Sequence, residues 1–121
     1  MRLATVMVFV KDMTRMRAFY RDVFGIAIVE DLPGWVRFDA GGTGFALHAI
    51  PAAYAVSIAI TDPPRTRSET PIKYVFEVSD LPAARSRVIE ARGQAGDTRL
   101  GDRASCDCID PEGNVFQLVE M

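Results

Sequence analysis

The stretch VKDMTRMRAFYRDVFG, residues 10–25, decides the fold, because the chain repeats its pattern as VSDLPAARSRVIEARG at residues 78–93. In each copy a β-type run ends in Val-x-Asp, a helical pattern follows, and glycine closes it. Asp12 to Gly25 and Asp80 to Gly93 both span 13 residues, and the offset between copies is 68 at either end. Two copies of one supersecondary unit predict a pseudo-twofold structure with a shared cleft.

The first copy predicts a βαβββ unit. Strands are expected over residues 3–10, 26–30, 35–38 and 45–50, with turns at 31–34 and 39–44. Asp12 is expected to cap the helix, whose apolar residues recur at helical spacing, and Gly25 is expected to end it.

The second copy predicts strands over residues 72–78, 94–98, 104–109 and 115–120, with a tight turn at 110–113. Asp80 or Ser79 is expected to cap its helix, and Gly93 to end it. The polar, proline-rich residues 61–71 predict a linker. The apolar residues 54–60 fit neither copy; they are expected to form an extra edge strand or to pack over the cleft.

At 121 residues, the chain is expected to be a single domain. Its modules are expected at about 1–50 and 72–121, with the linker and the extra segment at about 51–71.

The net charge of −2 gives no basic field for nucleic acid. No apolar run is long enough to span a membrane, and no signal peptide is apparent. Cys106 and Cys108 lie two apart in an extended run, where they cannot bridge each other; a reduced, cytoplasmic compartment is expected.

FYRDVFGI at the end of the first helix and DPEGNVFQLVE near the terminus, within the doubled βαβββ pattern, resemble the vicinal oxygen chelate superfamily. This superfamily includes glyoxalases, bleomycin and fosfomycin resistance proteins and extradiol dioxygenases. The resemblance implies an α+β fold in which the two βαβββ modules form a U-shaped, half-open mixed β-barrel cleft with the helices outside. It also implies a homodimer.

In metal-dependent members, four side chains of the cleft hold a divalent ion. Two of these positions lie seven residues before the aspartate that starts each helix, and two lie four residues after the turn glycines Gly44 and Gly113. The resemblance thus carries the metal positions onto Thr5, His48, Lys73 and Gln117. A hard cation prefers anionic oxygens or imidazoles, and an ammonium has no lone pair to offer. We therefore expect no metal and no other cofactor.

A Lys73 ammonium in the cleft needs an anion, which is either Asp107 on the strand before the DPEG turn or the ligand. Otherwise its long stem carries the charge to solvent at the rim. Strand alternation sets Ser105 on the face of Asp107 and places both cysteines on the other. His48 is the sole histidine and the best candidate for a catalytic residue. The residues expected to line the ligand-binding cleft are Thr5, Met7, Trp35, His48, Lys73, Val75, Ser105, Asp107 and Gln117.

Two functions follow from these patterns. The first is a metal-free protein that sequesters or senses a small, partly aromatic or anionic ligand. The second is an enzyme resembling the glyoxalases or dioxygenases, which uses His48 or a weakly held metal. The loss of metal-type ligands favours the first function.

Overall fold

The computed structural model describes residues 1–121, and the chain divides into two compact units, Met1–Ala59 and Ile60–Met121. Each unit contains one four-stranded mixed sheet and one long helix, and neither sheet closes on itself. The predicted α+β class and the tandem βαβββ modules are confirmed. The joining of the modules around one cleft stays a prediction.

The first unit orders its strands β1-β4-β3-β2, with β1 parallel to β4 and the other pairs antiparallel. Its elements are β1 (Thr5–Val10), α1 (Met13–Phe24), β2 (Ile28–Leu32), β3 (Trp35–Ala40), β4 (Thr43–Ala49) and the short α2 (Ala52–Ala55). The second strand therefore runs two residues later than the apolar run predicts, because only Pro33 and Gly34 form the turn.

The second unit repeats this order as β5-β8-β7-β6, with β5 parallel to β8. Its elements are β5 (Tyr74–Val78), α3 (Leu81–Glu90), β6 (Gln94–Ala95), β7 (Ser105–Ile109) and β8 (Val115–Glu120). The strand predicted over 94–98 is only two residues long.

One face of each sheet packs against the helix of its unit, and the alternate residues face away from it. The largest buried side chains of these two cores are Met16, Phe19, Tyr20, Phe38, Leu47, Leu81, Phe116 and Leu118. The face of each sheet that is turned away from the helix is the open face of its unit.

Both helices begin where the repeat predicts. The Asp12 carboxylate accepts the Arg15 N–H at 3.0 Å, and the Asp80 carboxylate accepts the Ala83 N–H at 2.9 Å, so that Asp80 rather than Ser79 is the cap. None of the helices has the length and apolar character needed to cross a membrane.

The helix ends differ. Gly25 adopts the left-handed conformation at φ 61°, as predicted, and donates to the Arg21 carbonyl at 2.9 Å. In the second unit Arg92 takes that conformation at φ 70°, and the Gly93 N–H closes the motif on the Val88 carbonyl at 2.9 Å. The prediction that Gly93 fills this role is wrong by one residue. Relative to its cap, α3 ends two residues earlier than α1, and Ala91 lies between its last residue and Arg92.

The segment between the modules forms no strand. Residues 54–60 contain the end of α2 followed by irregular chain, so the expected edge strand is absent. The proline-rich part, predicted as a linker, packs within the second unit. There Arg67 donates from its backbone to Gly113 O at 2.9 Å and from Nε to Glu112 O at 3.0 Å. The DPEG turn is thus covered by this segment.

Candidate functional site

The open face of the second unit brings together residues from three neighbouring strands. Gln117 on β8 lies between Val75 on β5 and Asp107 on β7 in the register of the sheet. The intervening residues, such as Phe116 and Cys106, are buried on the helix side. The period-2 alternation of the strands therefore presents the predicted polar residues on the face that α3 leaves uncovered.

Four side chains form a charged cluster on this face: Lys73, Arg99, Asp107 and Gln117. Lys73 Nζ lies 3.2 Å from Asp107 Oδ1, and Arg99 Nη1 lies 3.1 Å from Asp107 Oδ2. The Gln117 amide reaches Asp107 Oδ1 at a longer 3.5 Å. Lys73 therefore has the internal anion that its position calls for, and Asp107 is shared between two cations.

Hydrogen bonding from Arg99, and then from Lys73, holds the pKa of Asp107 below its ordinary value, and desolvation opposes this only in part. Asp107 is therefore ionised at neutral pH. Because the pKa of Asp107 is lower in the folded protein than in the unfolded chain, its ionised form stabilises the fold at every pH above the unfolded-state pKa. This stabilisation is lost as the pH falls through the folded-state pKa. Two cations and one carboxylate leave the cluster with one surplus positive charge.

An open pocket of about 370 Å³ adjoins the cluster through Asp107. Its walls come from the proline-rich segment, from the chain around β6, and from β7 and β8. The lining residues are Thr66, Gln94, Ala95, Gly96, Asp107, Cys108, Ile109 and Val115. The segment expected as a linker thus supplies a wall of this pocket.

Sequence reasoning missed Arg99, which lies in the irregular chain between β6 and β7. Its backbone forms a two-bond bridge with Ser105, through Arg99 N to Ser105 O at 2.7 Å and Ser105 N to Arg99 O at 3.0 Å. Ser105 pairs with Val119 and shares the face of Asp107. No periodic pattern covers residues 97–104, so the sequence carries no signal for the contact between Arg99 and Asp107.

Cys106 and Cys108 lie on the opposite, helix-facing side of β7. Both are buried as free thiols with their sulfur atoms 3.6 Å apart. Burial, the largest cause, raises the pKa of Cys108 far above its ordinary value. The prediction of apolar burial is confirmed.

The open face of the first unit carries aromatic rings beside an ion pair between Arg37 and Glu30. The His48 ring lies 5.3 Å from the Phe9 ring and 6.1 Å from the Trp35 ring, measured between centroids. His48 Nδ1 lies 2.8 Å from its neighbouring carbonyl, Ala49 O. Trp35 Nε1 donates to Glu30 at 3.1 Å. Met7 and Phe9 are about half exposed on β1.

The pairing registers correct one predicted equivalence. Val75 pairs with Gln117 in the second unit, and its counterpart Met7 pairs with Ala46 in the first. Ala46, not His48, therefore occupies the position of Gln117. His48 lies two residues further along the same face, opposite Phe9.

The reason is the choice of turn glycine. Gly44 is a strand residue of β4, paired with Thr5. The counterpart of Gly113 is Gly42, because both have positive φ, at 86° for Gly113 and 95° for Gly42, and both follow an aspartate by three residues. Counting four residues from Gly42 reaches Ala46. The Asp-x-x-Gly spacing was the signal that could have shown this.

The residues at the family's metal positions do not fit a divalent ion. With the corrected register the first unit offers Thr5 and Ala46 at these positions and the second offers Lys73 and Gln117, so a methyl group and an ammonium each take the place of one donor in their unit. In neither unit do three His, Cys, Asp or Glu side chains converge on one point. The single hydroxyl of the first unit and the single amide of the second are each too few ligands to hold such an ion.

Comparisons with known proteins agree with the fold. A glyoxalase-family enzyme from Burkholderia phytofirmans superposes with a TM-score of 0.76 at 23% identity, over 98% of this chain and 97% of its own. A lactoylglutathione lyase from Agrobacterium tumefaciens gives 0.68 at 25%, over 98% and 92%. The fosfomycin resistance protein FosX from Listeria monocytogenes gives 0.73 at 16%, over 100% and 93%.

No curated protein shows significant similarity to the sequence. The family model described as the glyoxalase/bleomycin resistance protein/dioxygenase superfamily matches residues 2–118, which is nearly the whole chain. The chain therefore belongs to the glyoxalase/bleomycin resistance protein/dioxygenase superfamily.

Proposed function

We propose that this protein binds a small molecule without a metal ion, and that it sequesters or senses a partly aromatic or anionic ligand on its open sheet faces. The observation that carries the proposal is the charged cluster. Lys73 stands at a metal-ligand position of the superfamily and is paired with Asp107, which also binds Arg99.

Electrostatics supports the metal-free part of the proposal. A divalent cation at this place would meet the Lys73 ammonium and the Arg99 guanidinium. Asp107, the one carboxylate of the cluster, already accepts hydrogen bonds on both oxygens. Recruiting that carboxylate to a metal would break two ion pairs and leave two cations beside the ion.

The same charges support an anionic ligand. The surplus positive charge attracts a carboxylate or a phosphonate, and Gln117 adds a neutral amide next to it. The partly exposed side chains of Lys73 and Asp107, at 45% and 36%, leave the cluster accessible to a ligand from solvent.

The open face of the first unit supports a partly aromatic ligand. Phe9 and Met7 expose apolar surface there, and the rings of Trp35 and His48 provide flat or edge contacts. Aromatic rings prefer such offset or edge-to-face neighbours and gain energy beyond simple burial. A molecule with an apolar ring satisfies this face.

A second candidate function is a lyase, isomerase or dioxygenase that uses His48. The contact between His48 Nδ1 and Ala49 O favours it, because an Nδ1–H that donates to this carbonyl leaves Nε2 with a free lone pair. A nitrogen in that state is what a general base needs. No carboxylate forms a hydrogen bond with the His48 ring, so no such partner increases the basicity of His48.

Elemental analysis of protein purified without chelator tests the metal-free proposal. We expect no stoichiometric metal in the wild type. We expect weak uptake in a Lys73→His variant, in which an imidazole replaces the repelling ammonium. About one Zn, Ni, Mn or Fe per wild-type chain would overturn the proposal. Lyase and dioxygenase assays of wild type beside His48→Gln would then decide the second candidate.

We also propose that the protein is a cytoplasmic homodimer without nucleic-acid or membrane partners. Reduced, buried cysteines and a net charge of −2 support the compartment and the absence of nucleic acid. The edge strand β2 exposes Val29 and Leu32, which supports pairing between copies. Sedimentation at micromolar concentration is expected to give the mass of two chains; a monomer would contradict it.

A further inference from the structure

We infer that Arg99 anchors the anionic group of the ligand, and that this ligand is a small organic acid whose body occupies the pocket beside Asp107. The inference rests on the proposed function and specifies its ligand class. It does not follow from the superfamily's metal positions, because Arg99 lies outside all four of them.

The backbone of Arg99 is fixed although it lies between strands. Both of its backbone polar groups bond to Ser105, which begins β7 two residues before Asp107. A guanidinium on such a tethered backbone loses less conformational freedom when a ligand binds than one on a free loop would. Arg99 is thereby positioned before the ligand arrives.

The side chain of Arg99 keeps hydrogen-bonding capacity for a ligand. One terminal nitrogen, Nη1, bonds to Asp107 Oδ2, while Nη2 and Nε remain to donate elsewhere. The side chain is 54% exposed, so these donors are accessible. A planar guanidinium fork matches the two oxygens of a carboxylate or phosphonate, which a lysine ammonium does not.

The charge balance of the cluster favours one further negative charge. Asp107 neutralises one of the two cations that flank it, and Lys73 lies on the other oxygen of the same carboxylate. A bound monoanion would bring the cluster to neutrality. A neutral analogue of the same shape would leave the surplus charge in place and gain no charge-assisted hydrogen bond.

The pocket limits the size of the ligand. Its volume of about 370 Å³ lies near the lower end of the usual range for small-molecule sites. Ile109 and Val115, which lie on the face of Asp107, supply apolar wall, and Thr66 and Gln94 supply polar groups. A single ring or a short branched chain with one acidic group suits these walls.

Calorimetric titration of the full chain with three ring compounds of similar shape tests the inference. The probes are benzoate and phenylphosphonate, which are anions, and benzamide, which is neutral. Wild type is expected to bind the two anions at least tenfold more tightly than benzamide, as a charge-assisted hydrogen bond predicts. Arg99→Gln is expected to weaken the anions by about tenfold and to leave benzamide unchanged.

Two further variants make the test specific. Arg92→Gln removes the same charge from the same unit, but at an exposed position that pairs loosely with Asp62 at 3.7 Å, and it is expected to bind like wild type. Arg99→Lys keeps the charge and loses the fork, so an intermediate affinity for the anions is expected. Circular dichroism and melting curves establish that each variant is folded.

Each remaining outcome overturns the inference. Unchanged anion binding in folded Arg99→Gln removes Arg99 as the anchor but leaves the proposed function intact. Preference for benzamide over the anions removes the acid as ligand class, again without touching the proposed function. If no probe binds to wild type, a set of neutral aromatic compounds is titrated and followed by Trp35 fluorescence. Binding of these compounds preserves the proposed function but not the inference about Arg99, and the absence of binding overturns both.

Discussion

The two units are built alike and present different open faces. Each has the same strand order, the same parallel outer pair and an aspartate cap on its helix. The first unit displays Phe9, Trp35 and His48, whereas the second displays Lys73, Asp107 and Arg99. Residues on alternate positions of the same strands therefore specify the core and the character of the open face separately.

The largest difference between the units lies in the turn before the last strand. In the second unit a Cβ added to Gly113 would lie 2.0 Å from the carbonyl oxygen of Arg65, whereas one added to its counterpart Gly42 in the first unit meets nothing within 4 Å. Both glycines have positive φ. Gly113→Ala is expected to cost about 3 kcal/mol or more, and Gly42→Ala about 1 kcal/mol, which is conformational strain alone.

Chemical denaturation of both glycine variants measures this difference. Equal losses would show that the proline-rich segment yields readily, and that the turn of the second unit is no more constrained than that of the first.

The aspartates that begin these turns provide a second matched pair. Asp110 is fully buried, and its carboxylate accepts from the backbone of Glu112 and Asn114 and from the Asn114 side chain. Asp39 is exposed and accepts from Gly42 N at 3.0 Å. Asp110→Ala is expected to cost about 2–3 kcal/mol, because buried donors lose their partner, and Asp39→Ala roughly 0.5–1 kcal/mol. Thermal melting of the two variants checks the order, and a larger loss for Asp39→Ala would contradict it.

Neutralising Asp107 sharpens the contrast between the faces. Asp107→Asn raises the charge of the cluster from one to two, so benzoate affinity is expected to rise about threefold, in keeping with the modest strength of exposed charge pairs. The affinity gain should shrink in high salt. Calorimetry in low and high salt checks both statements, and a fall in affinity would show that the role of Asp107 in orienting Arg99 outweighs its charge.

The smallest expected effect concerns the ends of the two helices. Arg92 holds the left-handed conformation that Gly25 holds in the first unit, at a cost that glycine avoids. Arg92→Gly is expected to stabilise the protein by about 0.5–1 kcal/mol, and Gly25→Ala to destabilise it by about 1 kcal/mol. Loss of the exposed ion pair between Arg92 and Asp62 is expected to reduce this gain in stability only slightly. Denaturant midpoints measure both changes; a destabilised Arg92→Gly would contradict the argument.

The fold was predictable from the sequence because each helix is marked at its start by an aspartate cap and on its face by periodic apolar residues. The register of β4 was not predictable, because either Gly42 or Gly44 could be taken as the turn glycine from which the metal position is counted. Only the strand pairing shows that Gly42 is the correct one. Arg99 was beyond prediction for another reason. Its contact with Asp107 depends on an isolated bridge in irregular chain, which leaves no pattern in the sequence.

The single tryptophan of the chain, Trp35, lies in the first unit, and both cysteines lie in the core of the second. The unmodified protein therefore carries a fluorescent probe in one unit and a chemically reactive probe in the other. Tryptophan emission and thiol labelling, followed together during denaturation, report the unfolding rate of each unit. Coincident time courses would mean that the duplicated halves unfold as one body, and a lag between them would show which half gives way first.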